Sequence, residues 1–491
     1  MAQPLQPQRI DKIGIYGVIR EAEVDSSLIP EGAVLEARNF HFDRKGAATG
    51  RPGLAALGAT VLNSRPCVGL HNAQAGTAIA VFSNGSSAAI YTFSSGAWAI
   101  SLDGGTASVA IRFVDFGSYT IALNFMYNTY TSMRFWNAGS TRHWHFTGNP
   151  INPQMMWGYA PQLGEIYKSR VYLAGDTSRE GHKSRLFFSS VITSAGNITW
   201  TPTTDFVDIN PGDGEGITAL KRYSLELLVF KPNYTYRFRT SGVDPDPLIK
   251  IGTRSQESVV EGKRGVYFNH DSGFYRYSGG YPLEISRPIS DIVDAIPFSQ
   301  LDDIVAWNDN DHVYWSIGNV TVNETKESIT YKNCVLRYTE SSELWTIYSY
   351  STDIRRGITY NSGTALSRIV ATEKGLVGTH NSGTTDFGDP ISCRLRTKKY
   401  DWEGVRNQKV IQEMVAICEK AQGLTLSCRV DDNLNWIPIG QLKGIVTNFD
   451  KQNISHHRIQ FQIDGISRNE APIFQAIEIV RGINQGQTLY A

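Results

Sequence analysis

The stretch that decides the fold is residues 303–349, which begins DIVAWNDNDHVYWSI and ends CVLRYTESSELWTIYS. Each half contains an apolar run rich in aromatic and β-branched residues, then a polar turn, then a second run of the same kind. Runs of about 4–8 such residues bounded by Gly, Asn, Asp or Ser predict strands rather than helices. The stretch therefore predicts four strands joined by tight turns.

The same pattern recurs between residues 61 and 390. Seven groups of short strands share it, at residues 77–102, 119–146, 169–202, 225–239, 264–280, 303–349 and 356–380. A spacing of ~47–55 residues per group is close to the ~40–50 residues of a propeller blade. It predicts a β-propeller-like body of six or seven blades, with a string of β-sandwiches as the main alternative.

The segments on either side of this body have different patterns. Residues 391–491 contain longer strands with cleaner alternation of polar and apolar residues, which predicts a separate antiparallel β-sandwich module. Residues 1–60 are typical of an extended arm that supplies a strand to complete the body. The sequence thus predicts an all-β protein with three parts, at residues 1–60, 61–390 and 391–491.

Composition agrees with this fold class and narrows the classes of function. The 491 residues include 45 Gly and 23 Tyr but only 19% charged residues, a balance that favours strands and turns over a helical bundle. The 47 basic and 47 acidic residues cancel. A chain without net positive charge lacks the bulk electrostatic attraction of a dedicated nucleic-acid binder.

The sequence shows no pattern of a signal peptide, a membrane helix or a disulfide framework. No signal-peptide pattern begins the chain and no apolar run is long enough for a membrane helix, so we expect cytoplasmic assembly without membrane insertion. The five cysteines are irregularly spaced and include no Cys-x-x-Cys pair. They predict free, mostly buried thiols rather than a disulfide framework or a zinc site.

No group of residues stands out as catalytic. His143 and His145 share one face of a predicted strand, but no third ligand lies at a suitable spacing, so packing is preferred over a metal site. The loop DINPGDGEG at residues 208–216 lacks the spacing of a calcium loop and predicts a turn. We therefore predict that the protein is not an enzyme and has no catalytic residue, metal or cofactor.

A small basic group lies at the start of the C-terminal module. It consists of Arg394, Arg396, Lys398 and Lys399. Alternation along a strand places the two arginines on one face. A solvated strand face is the preferred interpretation, and an interface rim or a polyanion-binding surface is the alternative.

One segment is more specific than the rest of the chain. Residues 28–54 read LIPEGAVLEARNFHFDRKGAATGRPGL. The pattern consists of a Pro-x-Gly turn, an Asn before a strand and an Arg-Pro-Gly, contributed by Pro30, Gly32, Asn39, Arg51, Pro52 and Gly53. It resembles the opening of the tail nozzle proteins (tail tubular protein B, or tail stabilisation proteins) of short-tailed bacteriophages. GEGITALKRYSLELLVFK at residues 214–231 and the C-terminal module are similar to later parts of that family.

The resemblance implies a structural protein of the virion tail, assembled in the cytoplasm of the bacterial host. Nozzle proteins form a hexameric ring below the head-to-tail adaptor, continue the DNA channel and close it until ejection. The implied partners are five further copies of the chain, the adaptor ring, tail fibre or tip (needle) proteins, and genomic DNA that passes through without sequence recognition. A neutral chain suits such a conduit, because a basic lumen would hold phosphates strongly.

Two alternatives remain open from the sequence. The first is a glycan-binding or glycan-cleaving propeller protein, since Tyr and Trp side chains stack well on sugars. The second is another phage component, such as a baseplate hub or a head-decorating protein.

Overall fold

The structure is a computed structural model. It describes residues 3–20, 28–42, 46–58, 64–73, 76–105, 107, 110–116, 119–124, 133–136, 144–145, 160–177, 182–192, 198–239, 245–323, 327–402, 404–466 and 470–487. These residues form an all-β protein with five four-stranded antiparallel sheets in a β-propeller-like arrangement, together with three larger sheets. The predicted fold class is confirmed at this level.

In the described ranges, six short strands precede the first four-stranded sheet. They are β1 (Gln3–Pro4), β2 (Gln8–Ile10), β3 (Val34–Arg38), β4 (Phe40–Phe42), β5 (Ala48–Gly50) and β6 (Leu54–Ala56). All six pair with strands from the C-terminal third of the chain, or with a neighbour that does so. We refer to residues 3–58 as the arm.

Each four-stranded sheet is built from consecutive strands in up-and-down order. The first contains β7 (Cys67–Ala73), β8 (Thr77–Ser83), β9 (Ala88–Ser94) and β10 (Ala97–Gly105), and the second β11 (Arg112–Phe116), β12 (Tyr119–Leu123), β13 (Met133–Trp136) and β14 (Trp144–His145). The third contains β15 (Leu163–Tyr167), β16 (Arg170–Ala174), β17 (Arg185–Phe188) and β18 (Phe206–Asp208). The fourth contains β19 (Ala219–Tyr223), β20 (Glu226–Phe230), β21 (Thr235–Phe238) and β22 (Asp246–Ile249), and the fifth β23 (Val260–Gly262), β24 (Gly265–His270), β25 (Gly273–Tyr277) and β26 (Leu283–Glu284). The first five predicted groups fall one in each of these sheets.

Burial follows the position of a strand within its sheet. Every residue of β8 is buried, whereas most of β10, at the sheet edge, is exposed or half-buried. Apolar cores lie between successive sheets, as where Val114 and Leu123 of the second pack against Val171 and Leu173 of the third. Sheets packed face to face in this way bury the apolar residues that alternate along their strands.

The stretch at residues 303–349 contains four strands, as predicted, and a similar set follows it. The strands are β27 (Val305–Asp309), β28 (His312–Asn323), β29 (Ser328–Thr339), β30 (Leu344–Ser349), β31 (Ile354–Asn361), β32 (Leu366–Thr372), β33 (Val377–His380), β34 (Thr385–Asp386) and β35 (Asp389–Pro390). A six-stranded sheet has the order β31-β32-β33-β6-β34-β35, so the arm strand β6 is inserted beside β33. Thr379 pairs there with Ala55.

The remaining strands form the C-terminal part. They are β36 (Ser392–Tyr400), β37 (Asn407–Glu419), β38 (Leu424–Val430), β39 (Ile437–Gln441), β40 (Val446–Phe449), β41 (Ile454–His456), β42 (Ile459–Ile466) and β43 (Ile473–Gln487). A nine-stranded sheet has the order β27-β28-β29-β30-β3-β36-β42-β38-β39, and an eight-stranded sheet is centred on β37 and β43. One sheet therefore continues across residue 390, and the arm strand β3 joins its two halves.

Helical residues are few. Within the described ranges they include the 3-10 turns Pro211–Asp213, Gln256–Ser258, Arg287–Ile289 and Phe298–Asp303, and the short α-helix α1 (Ser290–Asp294). All five cysteines are free and buried, as predicted. No helix in the described ranges is long and apolar enough to cross a membrane.

Candidate functional site

The arm is fixed to the body by a buried polar cluster that we call the arginine latch, made of Asn39, Arg51, Asp386 and the backbone of Ser349. Asn39 follows β3, which lies between β30 and β36. Its backbone has a φ of 61°, in the left-handed region that Asn tolerates better than most residues. This conformation ends β3 and starts β4 at the next residue.

The side chain of Asn39 connects β30, β36 and the arm. Its amide nitrogen donates to the carbonyl oxygens of Ser349 (3.1 Å) and Ser392 (2.6 Å). Its carbonyl oxygen accepts from the Ser349 N–H (2.7 Å) and from Arg51 Nε (2.8 Å). An amide offers two donors and two lone pairs, so this side chain has no unused hydrogen-bonding capacity.

Arg51 lies at the centre of the latch with a fully buried side chain. It donates in a bidentate pair to Asp386, with distances of 2.8 and 2.6 Å, and once each to the Pro52 and Ser349 carbonyl oxygens, both at 2.9 Å. With the bond to Asn39, all five N–H groups of the guanidinium are used. Burial alone would lower the pKa of Arg51, but Tyr350 and Asp386 outweigh it and raise the pKa above its ordinary value.

The neighbours of Arg51 explain the rest of the Arg-Pro-Gly sequence. The Tyr350 ring lies 3.9 Å from the guanidinium carbon, a cation–π contact. A Cβ on Gly53 would lie 2.0 Å from the Thr385 carbonyl oxygen, so no larger residue fits without movement of the backbone. Gly53 exchanges hydrogen bonds with Gly383 and Ser382, both at 2.9 Å, and leads directly into β6. The sequence after Arg51 thus brings the chain close enough to pair with β33.

Pro30 and Gly32 lie outside the latch. The Pro30 carbonyl oxygen accepts from the Ala33 N–H at 3.2 Å and closes a turn on the surface. Gly32 has a φ of 84°, a conformation that favours glycine. The six residues of the motif therefore divide between two places, four at the latch and two at this turn.

The segment at residues 208–231 forms a second buried ion pair. Lys231 Nζ, which is fully buried, donates to both oxygens of Asp213 at 2.7 and 2.8 Å and to the Asn210 carbonyl oxygen at 3.0 Å. The loop at residues 208–216 forms a turn, as predicted, with a 3-10 turn at Pro211–Asp213. The Asp213 carboxylate in this loop is neutralised by Lys231, so it is not open to a metal cation.

A third ion group joins the first strands of several sheets. Glu257, in the turn before β23, accepts from Arg112 Nε and Nη2 at 2.9 Å each, and Arg356 Nη2 lies 4.0 Å away. Burial alone would raise the pKa of Glu257, but Arg112 and Arg356 lower it to about 2. Arg356 also donates to the Val68 carbonyl oxygen of β7 at 2.9 Å.

The preferred interpretation of the basic group at residues 394–399 is wrong for two of its members. Arg396 has a 3% exposed side chain and pairs with Gln462 (2.7 Å) and Glu327 (2.9 Å). Lys398 is buried and donates to the Ile29 carbonyl oxygen at 2.9 Å. Burial between the C-terminal sheet and residues distant in sequence replaces the expected solvated face.

Metal-binding groups are not apparent in the described residues. Within these ranges no three His, Cys, Asp or Glu side chains are arranged to hold an ion. His143 lies outside the described residues, and only the backbone of His145 is described. The arginine latch, the Lys231–Asp213 pair and the group around Glu257 are internal contacts. They hold the sheets and the arm together.

Fold and site define an all-β, β-propeller-like protein whose N-terminal arm is held in the body by buried ion pairs. No protein-family model and no curated protein matches the chain. Sqt1 of Saccharomyces cerevisiae is similar at 8% identity and a TM-score of 0.40, over 67% of this chain and 99% of Sqt1. YCF48 from Cyanidioschyzon merolae is similar at 11% identity and a TM-score of 0.39, over 67% and 98%. The extracellular domain of BT4673 from B. thetaiotaomicron is similar at 12% and 0.42, over 83% and 49%. None of the three similarities reaches a TM-score of 0.5.

Proposed function

We propose that the protein is a structural virion protein, a subunit of a homo-hexameric tail nozzle that lies below the head-to-tail adaptor and forms and gates the DNA ejection channel. The observation that carries the proposal is the segment at residues 28–54, which resembles the opening of nozzle proteins. Four of its six motif residues build the arginine latch or the approach to it. A motif with this role in the body of the subunit is a better marker of a shared architecture than a surface pattern.

The proposal includes a finer account of the fold. We infer a propeller of seven blades, in which β27–β30 form the sixth and β31–β33 with β6 the seventh. The support is the neighbourhood of the first strands, because β27 lies beside β31, and β31 beside β7 of the first sheet. A last blade completed by an N-terminal strand links the two ends of the ring.

We also infer that the C-terminal part is a β-sandwich, with β36, β42, β38 and β39 in one layer and β37 with β43 in the other. The support is a common apolar core, to which Leu395 and Ile463 contribute from the first layer and Ile411 and Met414 from the second. Layers packed in this way are typical of sandwich modules.

Ring assembly requires a heterologous interface that closes on itself. Buried ion pairs such as Arg51–Asp386 suit a conduit subunit, because they hold the arm and the sheets in one register while the channel opens and closes. Neutral net charge suits passing DNA, since few released counterions accompany contact with a surface that lacks excess basic residues.

The test is the location and copy number of the chain. Virions purified from infected cells should contain six copies per particle, and the isolated protein complex should have the mass of a hexamer by native mass spectrometry. Cryo-electron microscopy should place the ring directly below the adaptor. A persistent monomer that is absent from virions would contradict the proposal, and a copy number far above six would favour a head-decorating protein.

A further inference from the structure

A polar groove lies where the arm meets the end of β36, outside the latch and unused by the function proposed above. Its volume is about 360 Å³. The side chains that matter for its chemistry are Arg9, Asp11, Lys12, Tyr16, Glu31 and Trp402, all of which line it. We call it the arm groove.

Two turns packed against each other give the groove a fixed shape. The first, at residues 12–17, is closed by the Ile15 N–H to the Lys12 carbonyl oxygen (3.1 Å), and the Gly14 N–H donates to the Gly32 carbonyl oxygen of the second turn (2.6 Å). A Cβ on Gly32 would lie 2.8 Å from Ile15 Cγ2. Glu31 and Gly32 of the Pro-x-Gly turn therefore form part of the wall of the groove, and the Pro30 carbonyl oxygen closes the turn that holds them.

Aromatic rings line the groove on two sides. Trp402 stacks on Tyr400 with ring centroids 5.2 Å apart and an interplanar angle of 19°. Tyr16 projects from the first turn with 52% of its surface exposed. An exposed tyrosine in a preformed concave site offers an apolar face and a hydroxyl to a ligand.

Polar groups of both signs line the same groove. Within the described part of the chain, Lys12 and Glu31 form no ion pair, and the Tyr16 hydroxyl has no hydrogen-bond partner. Asp11 makes one exposed pair with Arg9 at 3.4 Å. The groove thus presents the polar groups of Lys12, Glu31 and Tyr16 to a ligand, while Arg9 is held by Glu478 at 2.5 Å and Trp402 by its stacking on Tyr400.

We propose that the arm groove binds a saccharide. The aromatic rings would pack on the C–H face of a sugar ring, while Glu31, Lys12 and the Tyr16 hydroxyl bind its hydroxyl groups. The volume lies at the lower end of ligand pockets, ~300–1,000 Å³, which suits a small oligosaccharide. An extended peptide fits less well, because β2, the strand lining the groove, offers a backbone of three residues.

The test begins with the full-length protein on an array of bacterial surface oligosaccharides, followed by calorimetry with the best binder. Tyr16→Ala and Glu31→Gln should each weaken binding at least ~10-fold, the effect of ~1.4 kcal/mol. The matched control is Tyr281→Ala, which removes a tyrosine that is 77% exposed between β25 and β26 and does not line the groove. It should leave the affinity unchanged.

Both test positions are exposed, so their variants should fold like the wild type, which circular dichroism would verify. Absence of saccharide binding by the wild type at millimolar ligand would overturn the proposal. So would binding that Tyr281→Ala weakens as much as Tyr16→Ala does. Capture of peptides from tail proteins, lost in the Tyr16 and Glu31 variants while no saccharide binds, would overturn it in favour of a peptide site.

Discussion

Replacement of Asp386 by Asn should destabilise the protein far more than its small change in shape suggests. The amide is almost isosteric with the carboxylate, but it removes the counter-ion of Arg51 and turns one acceptor towards the guanidinium into a donor. The two side chains are 0% and 3% exposed, so water cannot replace the lost partner. Breaking a buried pair from one side costs about 3–5 kcal/mol, because an uncompensated charge stays buried.

An exposed ion pair provides a matched control for the destabilisation caused by Asp386→Asn. Glu413 and Arg481 form an ion pair at 3.6 Å with side chains that are 37% and 67% exposed. Glu413→Gln makes the same chemical change, and exposed pairs contribute about 0–1 kcal/mol. The contrast between the two variants therefore isolates burial as the cause.

Denaturant unfolding and amide hydrogen exchange should both report the loss. The unfolding midpoint of Asp386→Asn should fall well below those of the wild type and Glu413→Gln. Exchange at β6 should accelerate by about 10²-fold or more, since each 1.36 kcal/mol is tenfold. The double variant Arg51→Met with Asp386→Leu should recover part of the stability, because it removes both charges.

Two outcomes would refute this reasoning. A midpoint for Asp386→Asn within the shift of the surface control would mean that the latch contributes little to holding the arm. A double variant less stable than Asp386→Asn alone would mean that the hydrogen-bond network, rather than the unpaired charge, accounts for the cost.

Three further predictions follow from the other buried ionisable groups. Glu257 has its pKa lowered to about 2 from an ordinary 4.5, so its stabilisation is complete above pH 4.5 and declines as pH falls through 2; Glu257→Gln should flatten unfolding free energy against pH in that window. Burial, with Arg51 and Arg337 nearby, lowers the pKa of His380 to about 3 from 6.5. The unfolded chain then takes up this proton first, so stability should fall between pH 6.5 and 3 by up to about 1.4 kcal/mol per pH unit, and less in His380→Gln. Lys231→Met should leave Asp213 unpaired and speed proteolysis of the 208–216 loop, whereas unchanged cleavage would contradict a role of the pair in holding it.

The strand groups were predictable because their signal is local. Alternation and turn residues within residues 303–349 were enough to find β27–β30, since each strand and its turn lie within a short window. Strand pairing between distant segments has no such signal, and β6 has only three residues, so its place beside β33 was not visible.

Only the arm residues of the candidate site could be predicted from the sequence, and their partners in the body could not. Asn39 and Arg51 belong to the motif that suggested a structural role, but Asp386 lies 335 residues from Arg51, in the two-residue strand β34. Glu257 was missed for the same reason, since its arginine partners come from two other sheets. For Arg396, alternation indicated the face correctly but could not show that Glu327 and Gln462 cover it.

The polar character of the latch explains how so short an arm finds one register. The strand β6, with the sequence Leu-Ala-Ala, has only one large buried side chain, Leu54, to fix its alignment beside β33. Only one alignment places Arg51 against Asp386 and Asn39 against Ser349 with every donor satisfied. Any slip buries a charge without its partner at a cost of several kcal/mol, which exceeds what the pairing of a three-residue strand returns. The latch therefore supplies the specificity, and the strands around it supply the contact area.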